Sequence, residues 1–183
     1  TVTTQQTITV TGQTQFNAIV SFSSGCGFTN DFNARGTVFT NGQTLSFCVL
    51  WDHGVQINLG LPAPGTAHGA LNDAGQATCY TDITNQPCLW QAGVLTPLPL
   101  LPGALAGGVS AINASGVIVG WNSLPAPWGM VSRAARWQGG TVSDLGFNGG
   151  PGNGAVGIND TGSILVTVDG WTAYVLTGAS SNQ

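Results

Sequence analysis

The chain of 183 residues holds three Arg, seven Asp and neither Lys nor Glu, for a formal net charge of −4. That length accommodates one domain or a short repeat array, and the absence of a basic patch speaks against a nucleic-acid partner. Without the helix formers Lys and Glu, and with 28 Gly beside many Thr, Val and Asn, the composition is that of an all-β protein.

Residues 1–30 read as N-terminal strands. In Thr1 to Val10, the apolar Val2, Ile8 and Val10 alternate with Thr1, Thr3, Thr7 and Thr9, the period of a half-buried strand. Thr11-Gly12-Gln13 turns the chain into a second strand, Phe16 to Phe22, and Ser23 to Asn30 is a Gly/Ser loop carrying Cys26. The start at Thr1, with no Met and no apolar leader, predicts a mature secreted form, extracellular or at the cell surface.

From Asp31 a repeat takes over. The turns Asn33-Ala34-Arg35-Gly36, Asn72-Asp73-Ala74-Gly75, Asn113-Ala114-Ser115-Gly116 and Asn159-Asp160-Thr161-Gly162 are spaced by 39, 41 and 46 residues. Each follows a bulky apolar residue (Phe32, Leu71, Ile112, Ile158) and precedes a β-type run. Asn starts such a turn by bonding the backbone two residues on, and Gly accepts the positive φ that closes a hairpin. A second turn recurs as Trp51-Asp52-His53-Gly54, Trp90-Gln91-Ala92-Gly93 and Trp137-Gln138-Gly139-Gly140. Two hairpins per unit give about four strands per unit, and a period of about 40–45 residues with four strands is that of a β-propeller blade. The expected architecture is a small propeller-like array of four antiparallel sheets, or five if the N-terminal hairpin counts. The repeats fall at about 31–69, 70–110, 111–156 and 157–178, and a short polar tail runs to 183.

The best copy reads Ala111-Ile112-Asn113-Ala114-Ser115-Gly116-Val117-Ile118-Val119-Gly120, then Arg133-Ala134-Ala135-Arg136-Trp137-Gln138-Gly139-Gly140, then Asp144-Leu145-Gly146. This pattern resembles the bacterial extracellular HAF repeat, over about residues 31–178. Where that family has His-Ala-Phe, this chain has Phe47-Cys48-Val49, Pro87-Cys88-Leu89, Arg133-Ala134-Ala135 and Thr172-Ala173-Tyr174. The resemblance implies a secreted, propeller-like protein and transfers no catalytic residue.

The fourth unit breaks the pattern after Trp171 to Leu176, which leaves a strand edge unpaired. Thr1 to Val10 is the expected partner, through Val2, Ile8 and Val10 against the strand of Trp171 and Tyr174. It would close a ring within the chain or join one subunit to the next as a donor strand.

No side chain from Ile83 to Ser132 is formally charged, yet a membrane span is not expected there. Its most apolar part, Ala92 to Ile112, is broken by Pro97, Pro99, Pro102 and four Gly, and lipid demands a backbone that satisfies itself. Four cysteines suit an oxidising compartment. Cys79 and Cys88 flank a polar turn and are expected to pair across a hairpin, leaving Cys26 with Cys48; free buried thiols are the alternative. No Cys or His has metal-ligand spacing, so no metal and no cofactor is expected.

Catalytic signals are thin. Asp73 and Asp160 sit in the Asn turns, where Asp bonds local backbone, and Asp144 suits a turn or edge contact. Asp52-His53 is the one adjacent acid and imidazole, in a hairpin turn. Gly149 to Gly154 reads as a flexible linker. Trp51, Trp90 and Trp137 recur in register and are expected to pack between sheets. Trp121, Trp128 and the intervening Asn122 belong to a Pro-containing stretch that reads as an exposed loop, suited to stacking on sugar rings. The expected function is a non-catalytic structural or adhesive protein, a self-assembling surface, filament or matrix subunit whose partner is its own kind. A carbohydrate-binding module using Trp121, Trp128 and Asn122 is the alternative. A secreted polysaccharide-active enzyme comes third.

Overall fold

The computed structural model describes residues 29–32, 38–41, 48–52, 55–59, 67–81, 85–147 and 152–177. Among them the chain is all-β and antiparallel, and no helix is long and apolar enough to cross a membrane. The first sheet holds β1 (Thr29–Phe32), β2 (Val38–Asn41), β3 (Cys48–Asp52) and β4 (Val55–Asn58). The second holds β5 (Ala67–Leu71), β6 (Ala77–Thr81), β7 (Cys88–Gln91) and β8 (Val94–Pro97). The third holds β9 (Ala106–Ile112), β10 (Ile118–Ala126), β11 (Gly129–Gln138) and β12 (Thr141–Asp144). The fourth has β13 (Gly154–Ile158), β14 (Ile164–Val168) and β15 (Thr172–Leu176). Spatial order equals chain order in every sheet. The sheets begin a few residues ahead of the unit starts at 70, 111 and 157, because the strand before each Asn pairs with the strand after its Gly.

The Asn turns form as their chemistry dictates. Asn72, Asn113 and Asn159 each donate their backbone N–H to the carbonyl four residues on and accept from the Gly N–H three residues on, at 3.0–3.1 Å. Gly75, Gly116 and Gly162 close the turns at φ of +77°, +75° and +84°, a region that penalises a β-carbon. The Asn33 turn lies outside the described residues. The turns after Trp90 and Trp137 are two-residue loops with positive φ at both positions, Ala92-Gly93 and Gly139-Gly140. That geometry matches the natural twist of paired strands.

The Asn side chains also connect the sheets. Asn72 Nδ2 donates to the backbone carbonyl of Asn113 at 2.9 Å, and Asn113 Nδ2 donates to that of Asn159 at 3.2 Å. Their Oδ1 atoms stay on their own turns, accepting from Gln76 N, Val117 N and Ser163 N at 2.8–3.0 Å. Asp160 departs from its expected local role: its Oδ1 accepts from Ala114 N of the neighbouring turn, at 2.8 Å. The turns of the second, third and fourth sheets thus form one ladder.

Behind the ladder the first strands pack in sequence, β1 on β5, β5 on β9 and β9 on β13. No comparable packing of β13 on β1 is present among the described residues, so they form a row of sheets and no closed barrel or propeller is identified. Apolar cores fill the gaps. Leu59, Leu71, Ala77, Cys79 and Cys88 lie between the first and second sheets. Ala70, Val109, Ile118, Ala135 and Trp137 lie between the second and third, and Val119, Ala134, Ala155, Ile164 and Val166 between the third and fourth. The adjacent pairs Ile118/Val119 and Ala134/Ala135 divide between two cores because successive strand residues face opposite sides. Both faces of the third sheet are therefore buried. The strands must also approach closely: a β-carbon on Gly120 would lie 2.1 Å from the Gly108 carbonyl oxygen.

Asn113→Ala removes a buried acceptor and a buried donor together, and should lower stability by about 2–3 kcal/mol in urea unfolding. Asn159→Ala, at the exposed end of the ladder, should cost about 1 kcal/mol or less. Equal effects from the two substitutions would show that the ladder adds nothing to the local turn. Gly120→Ala should cost about 2–4 kcal/mol by forcing β9 and β10 apart, seen as a fall in Tm of the soluble protein.

Candidate functional site

The stretch from Asn122 to Pro127, expected as a loop, is strand and hairpin tip. β10 and β11 pair without a break from Ile118↔Trp137 to Ala126↔Gly129, with Pro127 and Trp128 at the tip. Pro125 fits inside β10 because the pairing with β9 has already ended at Ser123↔Ala106, so its missing N–H removes no bond on that side. The three candidate ligand residues separate accordingly. Trp128 is 100 % exposed. Trp121 is half-buried, against Gly108 and edge-to-face with Tyr80 at 5.6 Å. Asn122 is 0 % exposed and bonded: its Oδ1 accepts from Leu101 N at 2.6 Å and its Nδ2 donates to the Trp121 carbonyl at 2.8 Å. It holds the 98–105 connection and does not face a ligand.

Of the recurrent Trp residues, Trp137 is buried in the core between the second and third sheets, with its Nε1–H donated to Pro99 O at 2.6 Å. Trp90 is half-buried against the core of the first and second sheets. Trp51 lies in β3 opposite Val38.

A cleft of about 270 Å³ opens between the third and fourth sheets, lined by Ser110, Trp121, Ser132, Gly152, Asn153, Gly154, Val156 and Thr167. Two β-bulges shape it. The pairing of β9 with β10 steps past Ser110, and that of β13 with β14 steps past Val156, so each is an extra residue with no opposite number. A bulge re-aims a side chain out of the strand's alternation, and both extra residues stand on the cleft wall. Asn153, expected as part of a flexible linker, is 2 % exposed and leads into β13. Its Oδ1 accepts from Asp169 N at 2.8 Å, which fixes the amide's orientation. Its Nδ2 is the one buried side-chain polar atom among the described residues without a hydrogen-bond partner. None of these described lining residues is charged.

On the far face of the fourth sheet Leu165 and Val175 stand opposite each other and are exposed, and Trp171, in the turn before β15, is 95 % exposed. Tyr174, opposite the buried Val166, belongs to the core-side face and is exposed at its margin. Tyr174 makes one ring contact, with Phe147. Val2, Ile8 and Val10 lie outside the described residues.

The remaining candidates have structural roles or stand apart. Asp144 accepts from Arg133 Nη1 at 2.7 Å and from Gly146 N at 2.8 Å, so the Asp-Leu-Gly motif is a capped turn that sends Leu145 to the neighbouring core. This ion pair is solvent-exposed and adds little to stability. Cys79 and Cys88 are buried and stand opposite each other across β6 and β7, but the expected bridge between them is not formed. Cys48 opens β3, while Cys26 and His53 lie outside the described residues. No group of three or more His, Cys, Asp or Glu that could hold a metal is found among the described residues. Asn113, the start of a glycan-acceptor triplet, is 4 % exposed with its amide engaged, so the folded chain does not offer it for modification.

No protein-family model matches the chain, and no curated protein is significantly similar to it. The likeness to the HAF repeat rests on the residues quoted above.

Sequence reasoning passed over Asn153, Ser110, Ser132 and Thr167. The available signal was positional: Ser110 and Val156 both stand three residues before a turn Asn, as does Asn30, the extra residue of a third bulge in β1.

Asn122→Ala should destabilise by about 2–3 kcal/mol, since it leaves the buried Leu101 N–H unpaired. Trp128→Ala should stay within about 0.5 kcal/mol of wild type. Paired thermal melts of the two variants check this division, which fails if Trp128→Ala is the more damaging.

Proposed function

We propose that this chain is a non-catalytic structural or adhesive protein of the cell exterior that assembles by adding a strand to the edge of β15. The supporting observation is one of register. Trp51, Trp90 and Trp137 stand opposite Val38, Ala77 and Ile118, the first residue of the second strand in their sheets. Leu176 stands opposite Ile164 in the same way. Three sheets carry a further strand beyond that position, β4, β8 and β12, and among the described residues the fourth carries none. The consequence is an edge of backbone N–H and C=O groups flanked by exposed Trp171, Tyr174 and Val175. Such an edge is a template for β-augmentation.

The occupant we favour is Thr1 to Val10, with Val2, Ile8 and Val10 on its apolar face. Supplied by the same chain it completes a propeller-like ring; supplied by a neighbour it builds a homo-oligomer or polymer. A chain of ten charged residues repels its copies weakly, which favours assembly.

Deleting residues 1–10 should abolish assembly in negative-stain images or lower Tm, and a synthetic peptide of that sequence should restore what was lost. A truncated protein that assembles and melts like the full chain would end this reading. A Tm that rises with protein concentration identifies a strand given by a neighbour.

A further inference from the structure

We propose that the cleft between the third and fourth sheets binds a single neutral sugar ring, with Asn153 as its buried hydrogen-bond donor. Buried donors are paired in folded proteins, and an exception calls for an explanation. Asn153 cannot resolve its own by flipping, because its Oδ1 is needed by Asp169 N–H at 2.8 Å. An amide nitrogen in that place would set donor against donor. The Nδ2 atom is buried without a partner on a residue that lines the cleft, and a ligand oxygen that reaches it as the side chain adjusts on binding supplies the acceptor it lacks.

The rest of the lining selects the ligand. Ser110 and Ser132 bring hydroxyls that can both donate and accept, Thr167 brings one whose Oγ1 donates to the Gly154 carbonyl at 3.4 Å and can still accept, Trp121 brings an indole, and no charged group stands among the described lining residues. Hydroxyls and an amide arranged around one aromatic ring fit a polyol whose C–H face covers the indole. Phosphate, carboxylate or ammonium ligands would enter without a counter-charge. At about 270 Å³ the cleft lies just below the usual range of small-molecule sites, about 300–1,000 Å³, so it takes one ring and not a length of chain.

Topology adds a surrounding surface. The ladder gathers the Asn turns at one end of the sheets, so the β10–β11 and β14–β15 turns emerge at the other. Trp128 and Trp171, 100 % and 95 % exposed, stand at those two turns. They flank the end of the molecule toward which Asn153 and Asp169 lie, where the remainder of a longer glycan would run. The site is separate from the β15 edge and does not depend on strand addition.

The test is saturation-transfer NMR on the full chain with methyl pyranosides of neutral hexoses, deoxyhexoses and N-acetylhexosamines. At least one should receive transfer and compete for a common site. Asn153→Asp keeps the acceptor for Asp169 N–H and deletes the amide donor, and should weaken binding about tenfold, the loss of one neutral hydrogen bond. The Ser110→Ala/Ser132→Ala double variant should weaken it at least as much, and it carries the test alone if Asn153→Asp fails to fold. Trp128→Ala should leave single-ring binding unchanged. Absence of transfer to every pyranoside overturns the proposal. So does binding that survives both cleft variants, or that is lost with Trp128→Ala.

Discussion

The arrangement of the last three sheets depends on a side-chain amide with two obligations. Each Asn of the repeated turn uses Oδ1 to hold its own hairpin, and Asn72 and Asn113 use Nδ2 to hold the next turn's carbonyl. Asn carries its acceptor and its donor on two separate atoms, so one amide serves both partners at once. Asp would keep the first role and lose the second, and Ser would not span the gap. Because the donor–carbonyl bonds are buried or partly buried, leaving one unmade costs more than its formation contributes. The turns are thereby held in line at one end of the sheets.

From that line the rest follows by geometry. The strands run from the ladder toward the opposite turns, and within the third sheet small residues in β9 and β10 allow the two strands to approach closely. Each inner sheet presents both faces to a neighbour, so its strands alternate between two cores and no inner sheet is stable by itself. Such a row behaves as coupled neighbours, each unit stabilised by the contacts on either side. The terminal sheet has a neighbour on one face only among the described residues, and its β15 is exposed along nearly its whole length.

How much of this is written in the residues divides along the range of the interaction. The hairpins were legible because Asn, Gly and the two-residue loops act within four or five positions. The in-register Trp residues were legible because periodicity repeats them. The reach of Asn72 to Asn113 was not, since nothing local distinguishes an amide bonded within its turn from one bonded to the next. Asn122 and the segment around Pro125 misled for a related reason. Polar and Pro residues favour loops when judged locally, yet Asn122 is buried under the 98–105 connection and Pro125 sits where β10 has already left β9. Asn153 was hidden inside a run of glycines. The cleft was illegible because its walls come from two sheets and its shape from two bulges, which are pairing irregularities and leave no compositional trace.

The ladder also separates what is constrained in this chain from what is free. The Asn turns are 41 and 46 residues apart, yet their mutual geometry does not change, so the difference is absorbed elsewhere. Part of it appears in the long β10–β11 ribbon and its projecting tip. The molecule therefore has one conserved-geometry pole and one permissive pole, where segments lengthen or shorten without consequence for the stack. A scaffold built this way could carry grafted peptides or enlarged hairpins at the permissive pole while its opposite end continued to set the spacing of the whole.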